Sequence, residues 1–79
     1  MNRFKLKIVL LDGQEIEKEV SSLTCKTELG ELTLLANHQP IIVIIEPGEI
    51  ILDSKEKIFV NQKTILEFRN NQAKLLSLF

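Results

Sequence analysis

The chain has no tryptophan and no tyrosine, and its 79 residues include one cysteine, one histidine, two prolines and three glycines. With only four phenylalanines as aromatics, base-stacking platforms and sugar-binding sites find no support. A lone Cys25 forms no internal disulfide, which excludes a secreted disulfide scaffold and makes a reducing cytoplasm the expected setting. Neither sign of charge dominates. Ten basic residues stand against eleven acidic ones, net −1, which rules out a strongly basic nucleic-acid binder. Long hydrophobic runs are missing as well. The longest uninterrupted one, Ile41 to Ile45, is far short of the ~20 residues a membrane helix needs. Near the start, Lys5 and Lys7 interrupt the apolar stretch and Asp12-Gly13 ends it, so no signal-peptide core exists. Phosphate-cradling glycine motifs are absent.

What is present is 44% hydrophobic residues in a length that fits one domain, residues 1–79. Folding a chain this small buries only ~60–65% of the surface its unfolded form exposes, so the margin of stability is thin. The apolar residues recur with a period of two. Phe4, Leu6, Ile8 and Leu10 alternate with Lys5, Lys7 and Val9, which predicts a half-buried strand. Asp12-Gly13 is a turn pair, and Gln14 to Val20 returns with Glu15, Glu17 and Glu19 on one face and Ile16, Lys18 and Val20 on the other. An antiparallel hairpin follows, with Lys5 and Lys7 near the glutamates. Further strands are predicted at Leu23 to Thr27, Glu31 to Leu35, Ile41 to Ile45, Glu49 to Asp53, Ile58 to Val60, Thr64 to Arg69 and Gln72 to Leu78. Turn signals separate them, clearest at Glu46-Pro47-Gly48 and Asn70-Asn71. The expected fold is all-β, a small flattened sandwich of about nine to ten short antiparallel strands.

Chemistry-bearing residues are few. Cys25 and His38 allow a nucleophile pair on paper, but no orienting motif surrounds them, and Cys25 also reads as a small buried hydrophobe. A lone His38 lacks partners at metal-ligand spacing. The many glutamates alternate along strands as solvated faces do, so catalytic, cofactor-binding and metal-binding residues are all expected to be none. The surplus is apolar. The continuous run Ile41 to Ile45 suggests a strand covered on both faces, and Ile50 to Leu52 after it likewise puts apolar groups on both faces. A small sandwich cannot bury both faces of all its strands. Either other parts of the chain cover these strands, or one face docks a partner.

The stretch from Thr27 to Ile41 carries a resemblance. Gly30-Glu31, Leu34-Leu35, Asn37-His38 and Pro40 stand in order as they do in the N-terminal β-sandwich domain of the epsilon subunit of F-type ATP synthase. The resemblance extends to Phe4 to Val9, Asp12-Gly13, Val20 and Leu23, Pro47-Gly48-Glu49-Ile50, Ile65 to Phe68 and Asn71 to Leu76; it departs at Leu11, Cys25-Lys26, Thr33, Ala36 and Asn61-Gln62-Lys63-Thr64. It implies a non-catalytic central-stalk subunit, bound to the gamma subunit and resting on the c-ring, that couples ion-driven rotation to ATP synthesis. It would sit peripherally at the cytoplasmic face of the bacterial inner membrane, without insertion and without nucleic acid. Carried over by position, His38, Pro40 and Ile42 would face gamma, and Glu31 would contact the c-ring. Plainer alternatives stand beside these: Glu31 as a solvated turn acid and His38 as a cap of its own loop. Typical family members continue into a C-terminal helical hairpin that can restrain ATP hydrolysis; the length leaves two readings, a naturally short chain without that restraint, which is favoured, and a chain cut at the domain edge. The competing reading is a small β-barrel adaptor binding another protein through its apolar strand.

Overall fold

The structure, a computed structural model, describes residues 2–77. Among them the chain forms nine strands and no helix: β1 Phe4–Val9, β2 Glu15–Val20, β3 Ser22–Thr27, β4 Gly30–Leu35, β5 Ile41–Ile45, β6 Gly48–Leu52, β7 Glu56–Val60, β8 Thr64–Arg69 and β9 Gln72–Ser77. Leu78, where the last predicted strand ends, lies outside the described residues. No helix here is long and apolar enough to cross a membrane.

The strands join in one curled sheet, in the order β2-β1-β9-β8-β5-β3-β6-β7, with β4 added to the outer edge of β3. β3 makes the corner. One of its edges pairs along its whole length with β4, while the other divides between β6 and a single contact, Thr27 opposite Ile45 of β5. The curl gives two layers, β2-β1-β9-β8-β5 and β4-β3-β6-β7, closed on one apolar interior. Phe4, Leu6, Ala73, Leu75, Leu66 and Phe68 line it from the first layer, and Leu23, Cys25, Leu34, Ile50 and Leu52 from the second, all essentially without solvent contact. Burial of each large side chain contributes about 1.5–3 kcal/mol against the entropy of ordering the chain. Phe4 meets Phe68 edge to face, 5.3 Å between ring centres, the geometry the ring quadrupole favours.

Two expectations need correction. The strands are not all antiparallel, because β1 and β9 run parallel, Lys5 opposite Gln72 through Val9 opposite Leu76. Parallel neighbours need a long crossover, and here the whole intervening chain supplies it. Nor is β5 covered on both faces. Val43 and Ile45 are buried, but Ile42 on the opposite face is 69% exposed, since no described element lies over that side.

The turns follow the local chemistry. Asn70 and Asn71, with φ of 53° and 57°, make the two-residue mirror-image turn whose twist suits a hairpin. At the first hairpin, Gly13 has φ 92° and Asp12 Oδ1 accepts the Gln14 amide at 3.0 Å. The ion pairs between Lys7 and Glu15 (3.2 Å) and Lys5 and Glu17 (3.9 Å) cross diagonally between β1 and β2. Being half-exposed, they add little stability. Lys18 bonds Glu56 and so joins the two sheet edges, β2 and β7.

Asp53 ties three segments together. It sits with Ser54 in the β6–β7 turn, both at positive φ. Its Oδ1 accepts the Ser21 amide at 2.6 Å, the Ser21 hydroxyl at 2.9 Å and the Ser22 amide at 3.2 Å. Arg3 stands 3.7 Å from its other oxygen. These donors, the Ser21 amide first, hold the Asp53 carboxyl below its ordinary 3.8. A carboxyl whose folded pKa is depressed adds stability that is complete above its unfolded value and is lost as pH falls through the folded one. Asp53→Asn keeps an acceptor oxygen but does not titrate. Urea unfolding is expected to show wild type more stable than Asp53→Asn near neutral pH, with the gap closing as pH drops below 3.8. A gap unchanged in acid contradicts this assignment.

Candidate functional site

The register of the first layer decides which residues share its outer face. Ile44 lies opposite Ile65, Ile65 opposite Leu76, and Leu76 opposite Val9. These four form an apolar row across β5, β8, β9 and β1. Side chains alternate along a strand, so Ile42 occupies the same face one step from Ile44. A shallow groove of about 440 Å³ runs beside Ile42, Ile44 and Ile65 to Leu29. Among the described residues Leu29 is the most exposed large apolar one, at 90%. Its turn is held in place. The Glu28 amide donates to Ile44 O at 3.1 Å, Thr27 Oγ1 accepts the Leu29 amide at 3.1 Å and donates to Gly30 O at 2.7 Å, and Lys63 Nζ reaches Glu28 Oε2 at 2.8 Å. The bond to Glu28 raises the Lys63 ammonium above its usual range.

The four residues named from sequence do not form one site. Ile42 stands on the outer face just described. Pro40, also exposed, precedes β5 at one end of the sandwich. His38 is half-buried at that end, its ring edge-on to Phe68 at 6.0 Å and its Nδ1 2.8 Å from Gln39 O. Its ring therefore supports its own loop. Glu31 is exposed on β4, opposite Lys26 and next to the Thr27–Gly30 turn. The length of β4, at about 3.4 Å rise per residue, separates it from His38. Sequence reasoning missed Leu29, Ile65 and Leu76. Leu29 announces itself as an apolar residue within a turn, whereas the others fall into line only once strand neighbours are known.

The loop bearing His38 and Pro40 is anchored by Asn71. Its Oδ1 accepts the Asn37 amide at 2.7 Å, its Nδ2 donates to Arg3 O at 2.9 Å, and its carbonyl accepts the Lys5 amide at 3.3 Å. No cluster of three or more metal-ligating side chains occurs among the described residues. Cys25 is buried, and that burial pushes its thiol up to about 11, leaving it protonated and unreactive near neutral pH.

The fold defines a class: a small all-β sandwich domain, here with an exposed apolar row on one outer face. Within that class the chain belongs to the family described as the beta-sandwich domain of the ATP synthase delta/epsilon chain, which matches residues 3–78. Among curated relatives, the ATP synthase epsilon chain of Clostridium perfringens strain SM101 is 31% identical over 76 residues, 92% of this chain and 57% of the relative. The epsilon chain of Wolbachia pipientis from Culex pipiens is 33% identical over 81 residues, 98% of this chain and 71% of the relative. This chain thus spans a little over half the length of the Clostridium relative. A chain in the cryo-EM structure of the Tetrahymena thermophila mitochondrial ATP synthase central stalk and c-ring superposes with a TM-score of 0.76 at 12% identity, over 95% of this chain and 63% of that one. That likeness concerns the fold.

Asn71→Gly keeps the positive-φ turn but removes both side-chain bonds. It is expected to cost about 1–2 kcal/mol and to speed hydrogen exchange at the Asn37 amide. Unchanged exchange there would show that the loop does not depend on this anchor.

Proposed function

We propose that this chain is a non-catalytic epsilon-type subunit of a rotary ATP synthase. In this reading it docks on the gamma subunit of the central stalk and helps couple rotation of the c-ring to ATP synthesis. The observation that supports it best is the uncovered apolar row Ile44, Ile65, Leu76 and Val9, with Ile42 beside it. A domain with one interior has no reason of its own to gather these residues on one outer face, and contiguous apolar surface marks an interface. Gamma covers that face. Pro40 extends the contact at the end of β5, and the His38 loop borders it. Glu31 lies at the other end of β4 and meets the polar loops of the c-ring through a carboxylate contact that salt screens. The subunit is then peripheral to the membrane, held at its cytoplasmic face by the complex alone.

Ile42→Asp tests the reading, because the 69% exposed side chain tolerates a charge in the free domain. The variant is expected to melt like wild type and to bind purified gamma subunit at least about 30-fold more weakly by calorimetry, as an interface charge without a partner does. Binding within a few-fold of wild type would place gamma elsewhere.

A further inference from the structure

The same outer face changes character beyond its apolar row. The next row across the sheet is Ile42, Glu67, Lys74, Lys7 and Glu17, as the pairings of β5, β8, β9, β1 and β2 dictate. Past it, Arg69 lies opposite Gln72, and Gln72 opposite Lys5. Four cations therefore gather on β8, β9 and β1. Two of them are already matched, Lys7 by Glu15 and Lys5 by Glu17. Arg69 and Lys74 are exposed and make no ion pair or side-chain hydrogen bond among the described residues. They flank a polar cleft of about 230 Å³, floored by Gln72 and bordered by Glu67. Its positive side adjoins the apolar row.

We propose that the surface takes an amphipathic acidic segment, whose apolar side chains lie on Ile44, Ile65 and Leu76 and whose carboxylate enters the cleft between Arg69 and Lys74. The inference rests on the gamma-docking reading and adds the chemistry of the gamma segment. The charge pattern selects that occupant. A basic segment meets two unmatched cations at close range, and a wholly apolar one leaves both desolvated without a partner, which is costly. An acidic segment satisfies them at the rim, where charge governs orientation and encounter more than total affinity. Glu67 is the one carboxylate bordering the cleft on β8, and it opposes an incoming acid.

The test is calorimetric titration of isolated gamma subunit into the chain at low and high salt. Arg69→Glu with Lys74→Glu is expected to weaken binding about tenfold or more at low salt, with the gap narrowing as salt screens the contact. Arg69→Gln with Lys74→Gln, a milder change that guards against misfolding, gives a smaller loss of the same sign. Glu67→Gln is expected to tighten binding about two- to threefold by removing the opposing charge. Charge variants that bind within twofold of wild type at both salts, while Ile42→Asp fails to bind, overturn the acidic segment and leave the docking reading intact. A wild-type chain that does not bind gamma overturns both.

Discussion

Two sheet layers enclose one interior, and each strand offers that interior only every second side chain. Phe4, Leu6, Leu66, Phe68, Leu75, Leu23, Ile50 and Leu52 fill it. The residues between them must face water or a partner. On β2 this is met by Glu15, Glu17 and Glu19, exposed along a sheet edge, where charge discourages unwanted strand pairing. On β5, β8 and β9 it is met by polar residues only in part, because Ile42, Ile44, Ile65 and Leu76 share the outward positions with Glu67, Arg69, Gln72 and Lys74. The exposed apolar face follows from this limit of a two-layer fold. The corner at β3 matters for the same reason, since it lets one continuous sheet double over and leaves the outer face of the first layer bare.

Around that interior, polar side chains set the positions of the loops. Asp53 gathers the Ser21–Ser22 turn and Arg3 onto the β6–β7 turn, and Asn71 gathers the His38 loop and the N-terminal segment onto the β8–β9 turn. Each does this from a left-handed backbone position, which Asp and Asn tolerate better than most residues. At the opposite end, Lys63 and Thr27 hold the turn that presents Leu29. Both ends of the sandwich are thus fixed by side chains that also shape turns. This is how a domain with a thin stability margin keeps its loops defined.

Much of the architecture was legible because period two and turn chemistry are local. The Asp12-Gly13 and Asn70-Asn71 hairpins, the strand Thr64–Arg69 and the all-β class all follow from neighbouring residues. Strand adjacency is not local, so the parallel pairing of β1 with β9 could not be read from alternation. The apolar row was hidden for the same reason. Val9, Ile44, Ile65 and Leu76 lie far apart in sequence, and only register aligns them. The apolar run Ile41–Ile45 suggested cover on both faces, because β-branched residues say nothing about what lies above them; Ile42 is exposed. His38 stood out as the only histidine, but its ring turns to Phe68 and its own loop. Glu31 begins the strand that alternation predicted and lies opposite Lys26, a pairing that alternation alone does not give.

The most direct measurement of the central claim is a methyl NMR titration of the isoleucine- and leucine-labelled chain with purified gamma subunit. Docking of gamma on this face shifts Ile42, Ile44, Ile65, Leu76 and Leu29 above all. Shifts confined to Leu35 and Ile51, on the outer face of the second layer, would contradict it.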